Sequence, residues 1–176
     1  FIHLSTDFIF DGTHGPLDEN EIPNPLSYYA EGKLEAEKIV QASSLDWAIA
    51  RTVLVYGIVD NMSRSNIVLW VKSNLEQGKT INVVDDQFRT PTLAEDLADG
   101  CILIAEKRAK GIYNISGKDF YSILELARVL ADYYGLNKDL IKPSKSADIK
   151  QPAQRPPITG FIIDKAKKDP KAEIWV

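Results

Sequence analysis

The chain has 176 residues, 44% hydrophobic and 26% charged, which is enough apolar content for a continuous core and too much for an unfolded chain. A net charge of -4 and a pI of 5.2, with no Lys/Arg cluster beside aromatic residues, exclude a basic face for nucleic acid. Cys101 is the only cysteine, so an internal disulfide and a Cys-based metal cage are excluded, and no apolar run reaches the roughly 18–20 residues that span a bilayer; the expected setting is a reducing cytoplasm.

The opening run, Phe1-Ile-His-Leu4, reads as a buried strand ending at Ser5-Thr6. It has no initiating Met and no charged leader, as expected of a piece of a longer protein. Beyond a Gly/Pro/Asp-rich loop over residues 11–23, Asn24-Pro25 predicts a side-chain cap followed by proline at the first helical position, with the helix running to about Ala42. Trp47 to Tyr56, apolar apart from Arg51 and Thr52, predicts a parallel strand covered on both faces. Ile67, Trp70, Val71 and Leu75 fall at helical spacing, Gly78 closes that helix, and a short strand follows over residues 80–84. Thr92-Leu-Ala-Glu95 and Ser122-Ile-Leu-Glu125 read as capping boxes opening two further helices, with a strand over residues 111–116 between them. Residues 142–157 are rich in Pro, Ser and charge, and predict a long loop before a small terminal element over residues 158–168. Alternating strands and helices of this kind make an α/β fold.

Tyr29 and Lys33 stand four residues apart near the start of the first helix, on one face. A free phenol, with pKa about 10, is a poor acid–base group at neutral pH unless a cation stabilises the phenolate. At about 4 Å and an effective dielectric of about 20, an ammonium supplies roughly 4 kcal/mol. The spacing alone is weak evidence. Seven tyrosines among many lysines produce it by accident, and Tyr134-Gly-Leu-Asn-Lys138 is such an accident, with Gly135 standing where its helix should stop. The surroundings of Tyr29 discriminate, because Ser5-Thr6-Asp7-Phe8 lies at the C-terminal end of a strand, where open parallel sheets bind ligands.

A strand ending Ser5-Thr-Asp-Phe-Ile-Phe-Asp-Gly12, then Tyr29-x3-Lys33, then Arg51-Thr-Val-Leu-Val-Tyr-Gly57 resembles the extended short-chain dehydrogenase/reductases, and within them the dTDP-4-dehydrorhamnose reductase family. Val84-Asp-Asp-Gln-Phe-Arg-Thr-Pro-Thr92 with Asp96-Leu-Ala98, Gly111-Ile-Tyr-Asn-Ile-Ser-Gly117, Gln154-Arg-Pro156, and Asp164-x3-Lys168 with Trp175 extend the match across nearly the whole chain in the same order. The resemblance implies the C-terminal part of a Rossmann-type doubly wound parallel sheet plus a small α/β substrate-binding lobe. Residues 1–57 would be the catalytic part of the NAD(P)-binding domain. Residues 58–176 would be mainly the substrate lobe, with about 93–116 returning to the first domain.

By the same resemblance, Tyr29 would protonate the C4 oxygen of a nucleotide-linked 4-keto-6-deoxy sugar while NADPH, or NADH, delivers hydride. Lys33 would stabilise the phenolate and hold the nicotinamide ribose, and Thr6 would hydrogen-bond the same oxygen. Phe8 stands where related 4,6-dehydratases carry glutamate, which disfavours water elimination. Asp7 is either a substrate contact or a turn residue. Leu54 occupies a position where the family commonly has tryptophan, and Arg89 one where it commonly has glycine, so the sugar pocket is expected to differ. Arg89 and Arg155 are candidates for the substrate diphosphate. His3 and His14 lack paired ligands and no metal site is expected. Trp47, Trp70 and Tyr133-Tyr134 read as packing or interface residues.

The expected partner is the nucleotide-sugar substrate, with no nucleic acid and no membrane, and a homodimer is admissible. Two rival readings keep the same residues. One is a noncatalytic regulatory subunit, since the regulatory subunit of methionine adenosyltransferase resembles these reductases. The other is a nucleotide-sugar epimerase or dehydratase that recycles its cofactor. The Gly-rich nucleotide loop that brings backbone amides to a dinucleotide pyrophosphate is absent from the sequence. The 176-residue chain by itself is therefore expected to bind NADPH weakly; a fluorescence titration that saturates at micromolar NADPH would contradict this.

Overall fold

The computed structural model describes residues 1–58, 65–149 and 153–168; Trp175 lies outside them. In chain order the strands and α-helices are β1 (Ile2–Thr6), α1 (Tyr28–Ala42), β2 (Ala48–Thr52), β3 (Val55–Tyr56), α2 (Ile67–Glu76), β4 (Ile81–Val84), β5 (Phe88–Arg89), β6 (Thr92–Leu93), α3 (Ala94–Glu106), β7 (Gly111–Asn114), β8 (Tyr121–Ser122), α4 (Ile123–Tyr134), β9 (Ile141–Ser144) and α5 (Asp164–Lys168).

Strands β1, β2 and β7 form a parallel sheet in that order. Its middle strand is buried from Ala48 to Arg51, as its unbroken apolar run predicts for a strand covered on both faces. Ala48 and Ala50 of β2 pack with Leu97 and Ile104 of α3, Tyr113 of β7 and Ala166 of α5. A second core lies under α2 and α4, where Val71, Leu75, Leu124 and Ala127 cover the parallel pair β4–β9. Ile9, Phe10, Leu17, Val53, Phe161 and Ile163 make a third cluster. Leu54 packs against both this cluster and the core beneath α2 and α4, so it sits at their joint.

Four local expectations are revised. Helix α1 starts at Tyr28, capped by Ser27, whose hydroxyl accepts from the Ala30 amide; Asn24 instead spends its side-chain amide on Asp11 Oδ2 at 2.9 Å. The strand predicted over 47–56 breaks at Leu54, whose φ of 41° turns the chain out of the sheet, and β3 pairs with β6. Thr92 does not cap α3. Its hydroxyl donates to the Val53 carbonyl at 2.7 Å and accepts from Thr52 Oγ1, so it is committed to the break at Leu54. The loop predicted from 142 contains β9, whose Pro143 is tolerated because each strand of a two-stranded ladder is an edge. The Ser122–Glu125 box forms as predicted, and Gly135 ends α4 with φ 66°.

Helix α1 is tied to the sheet by ions. Glu37, fully buried, receives Arg51 Nε at 3.0 Å and Nη2 at 2.7 Å, and the same guanidinium lies 5.3 Å from the centre of the Phe10 ring. Tyr29, Lys33 and Glu37 follow at i, i+4 and i+8 along one stripe of α1, so the pair at one end of the stripe orients the other end. Removing one member strands a buried charge. Arg51→Met or Glu37→Gln is expected to cost about 3–5 kcal/mol, read as a lower urea midpoint; a change under about 1 kcal/mol would contradict the anchoring role.

Candidate active site

A cleft of about 740 Å³ opens at the C-terminal end of β1, on the side of a parallel sheet where ligands bind. Thr6, Asp7 and Phe8 contribute from β1 and the turn after it, Tyr29 from α1, and Leu54 from the break after β2. Asn66, Ile67 and Trp70 face it from the start of α2, Asn82, Val83 and Val84 from β4, and Arg89 and Arg155 from the segments beyond. All the residues singled out in the sequence line this one cleft except Lys33. That ammonium donates to the Leu4 carbonyl at 2.6 Å, one turn behind Tyr29.

Tyr29 is 58% exposed, held on one side by an edge-on contact with Phe8, ring centres 6.4 Å apart. Its side chain lines the cleft. Lys33 spends one of its ammonium's three donors on the Leu4 carbonyl. The Thr6 hydroxyl donates to Asp7 Oδ1 at 3.1 Å and accepts from the Phe8 amide at 3.3 Å.

Asp7 is buried, 3% exposed. Its Oδ2 accepts from the Thr159 hydroxyl, and Arg89 Nε stands 3.6 Å away. Arg89 is equally buried: Nη1 donates to the Phe88 and Pro157 carbonyls and Nη2 to that of Pro156, with the guanidinium 5.7 Å from the Phe8 ring centre. It lines the cleft with its donors directed into the protein. Arg155 is exposed.

Trp70, Asn66, Asn82 and Thr159 were missed as site residues. Trp70, read from the sequence as a packing or interface residue, is 37% exposed and lines the cleft from the first turn of α2. Asn66 caps α2, its side-chain oxygen accepting from the Leu69 amide and its side-chain amide donating to the Gly57 carbonyl. Thr159 meets Asp7 across 152 residues, a contact with no local signal in the sequence. Tyr134 and Lys138 separate as expected: Lys138 pairs with Asp132 and Tyr134 receives Lys72. His3 keeps Nε2 buried without a hydrogen bond, and among the described residues no cluster of metal-binding side chains occurs. Among them, too, no helix is long and apolar enough to cross a membrane.

A parallel α/β sheet with a tyrosine-bearing helix beside the end of its first strand, and a second α/β layer built on β4–β9 across the cleft, defines a Rossmann-like fold. The model of the RmlD substrate binding domain family matches residues 1–174, and the chain belongs to that family. It is 34% identical over 160 residues to methionine adenosyltransferase 2 subunit beta of Bos taurus, covering 88% of this chain and 48% of that protein. A dTDP-4-dehydrorhamnose reductase from Clostridium acetobutylicum superposes with a TM-score of 0.86 at 27% identity, covering 94% of this chain and 57% of that one. The dTDP-4-dehydrorhamnose reductase of Bacillus anthracis in complex with NADP gives 0.84 at 26% identity, covering 92% and 56%. The chain thus spans about half the length of the curated relative it matches.

Burial is the largest influence on Asp7 and pushes its carboxyl above the ordinary range, against the opposing pull of Arg89 and the hydroxyls of Thr159 and Thr6. Burial likewise lowers Arg89, opposed by Asp7. Folded Asp7 thus holds its proton to higher pH than the unfolded chain. Its contribution to stability is complete below about pH 3.9 and is lost as pH rises through the raised value. The difference in unfolding free energy between wild type and Asp7→Asn should therefore change with pH across that window; a constant difference would contradict the assignment.

Proposed function

We propose that the protein containing this chain is an NAD(P)H-dependent reductase of the C4 ketone of a nucleotide-linked 4-keto-6-deoxy sugar, in the first instance dTDP-4-dehydrorhamnose to dTDP-rhamnose. The observation that carries the reading is the placement of Tyr29 and Thr6 on one cleft at the end of β1, with Lys33 behind Tyr29 on the same helix stripe.

The donor set suits a nicotinamide ribose: Lys33 carries an ammonium with three donors, one of them spent on the Leu4 carbonyl, and the Tyr29 side chain lines the cleft. When bound, NADPH supplies the hydride. The chain's own residues do the rest. Tyr29 gives its hydroxyl proton to the oxygen that becomes the alcohol, and the Lys33 charge favours the phenolate left behind. Phe8 packs the tyrosine ring edge-on and limits its swing. The apolar wall of Leu54, Ile67, Trp70, Val83 and Ile123 excludes water and suits a deoxygenated sugar face. Exposed Arg155 at the cleft is the candidate for the diphosphate; Arg89, with its donors engaged, acts on the site through Asp7.

A noncatalytic, partner-binding role is the second reading, favoured by the 34% identity to a methionine adenosyltransferase subunit. The full-length protein separates the two. It should oxidise NADPH stoichiometrically in the presence of dTDP-4-dehydrorhamnose, and Tyr29→Phe should lower kcat by about 10²–10⁴ with the circular-dichroism spectrum unchanged. Near-normal turnover in that variant would sink the assignment of Tyr29. No turnover in wild type, with a stable protein partner on purification, would support the second reading.

A further inference from the structure

Tyr29 has little to hold its ring in place. It is 58% exposed, among the described residues no hydrogen bond reaches its hydroxyl, and the aromatic ring it meets is that of Phe8, edge-on at 6.4 Å. Placement matters for a proton donor, because a displacement of about 1 Å can cost about 10²-fold in rate. Phe8, half-buried in the short turn Asp7–Ile9 after β1, is itself pinned from the other direction. The Arg89 guanidinium stands over its ring, 5.7 Å from the centre.

That guanidinium cannot swing away without losing partners at every nitrogen. Nε faces Asp7 Oδ2 at 3.6 Å, Nη1 donates to the Phe88 and Pro157 carbonyls, and Nη2 donates to that of Pro156. Arg89 is only 3% exposed, and a cation shielded from water is attracted most strongly to an aromatic face. Arg89 thus meets the site at two side chains, Asp7 and Phe8, and its contact with Phe8 continues to Tyr29. We propose that Arg89 is a positioning residue for the reduction: anchored on three backbone carbonyls, it fixes the Phe8 ring, and Phe8 fixes the angle at which Tyr29 enters the cleft. This rests on the reductase reading above, with Tyr29 as proton donor. A lysine at position 89 would not replace it, since a compact ammonium lacks the fork that grips several carbonyls while covering a ring.

The test is fluorine NMR of the full-length protein carrying 3-fluorotyrosine, with the Tyr29 resonance assigned by its loss in Tyr29→Phe. The ring current of Phe8 should displace that resonance from its position in the unfolded chain. In Arg89→Met and in Phe8→Leu it should move toward the unfolded position, and Phe8→Tyr, which keeps the ring, should return it toward wild type. With NADPH and dTDP-4-dehydrorhamnose, Phe8→Leu and Arg89→Met should each lower kcat by about tenfold or more while KM changes by less than about twofold, the pattern of an interaction that serves the transition state. An unmoved Tyr29 resonance in a folded Arg89→Met protein would overturn the role of Arg89. Should that variant fail to fold, Phe8→Leu still decides, because an unmoved resonance and unchanged kcat there break the chain at its middle link. A wild type that reduces no ketone sinks the reductase reading, whereas unmoved resonances in a protein that does reduce it sink only the positioning role.

Discussion

The buried pair of Glu37 and Arg51 is the constraint on which the site depends. Two charges withdrawn from water hold only if each is matched in geometry, and here both carboxylate oxygens meet nitrogens of one guanidinium. That matching fixes both the rotation of α1 about its axis and its distance from β2. With Glu37 set, Lys33 one turn earlier reaches the Leu4 carbonyl, and Tyr29 a further turn on arrives beside Phe8 at the mouth of the cleft. An apolar contact at Glu37 would hold the helix on the sheet but would leave its rotation freer.

The second buried pair, Asp7 with Arg89, works across elements rather than along one. Asp7 follows the sheet's first strand, Arg89 lies in the small antiparallel pair β5–β8, and Thr159 and the carbonyls of Pro156 and Pro157 come from the segment before α5. The floor of the cleft is thereby stitched from three distant parts of the chain. Leu54 closes the joint above it in a left-handed conformation that non-glycine residues adopt at a cost of about 1–3 kcal/mol. Thr92 helps to hold that conformation through the Val53 carbonyl. The ion pair of Asp7 and Arg89 is buried beneath the cleft, and apolar side chains stand beside it.

Much of this was legible in the sequence. The unbroken apolar run of β2, the Ser122–Glu125 box and the Gly135 stop each follow from local chemistry, and the structure has them where that chemistry puts them. The gathering of Thr6, Tyr29, Leu54, Arg89 and Arg155 on one cleft followed from ordered family segments, since the Tyr–Lys spacing recurs at Tyr134 without meaning. What could not be read were choices between equivalent partners. Asn24 and Ser27 are both competent caps, and the decision fell to Asp11, which claimed the asparagine. Thr92 with Glu95 has the letters of a capping box, but the Thr92 hydroxyl donates to the Val53 carbonyl and accepts from Thr52 Oγ1 instead of from a first-turn amide. Arg89 looked like a phosphate ligand because guanidinium groups suit phosphate; its burial depends on Asp7 and on carbonyls about 67 residues away along the chain, which no window of sequence displays.

The site is proposed to belong to a protein that adds hydrogen to a sugar ketone with net consumption of its cofactor. The most direct measurement is the fate of deuterium when the full-length protein is given dTDP-4-dehydrorhamnose and NADPH labelled at the transferable position. The account predicts one deuterium at C4 of the product for each cofactor oxidised. Conversion of substrate without deuterium at C4 and without loss of NADPH, as in an epimerase or dehydratase that recycles a bound cofactor, would contradict it.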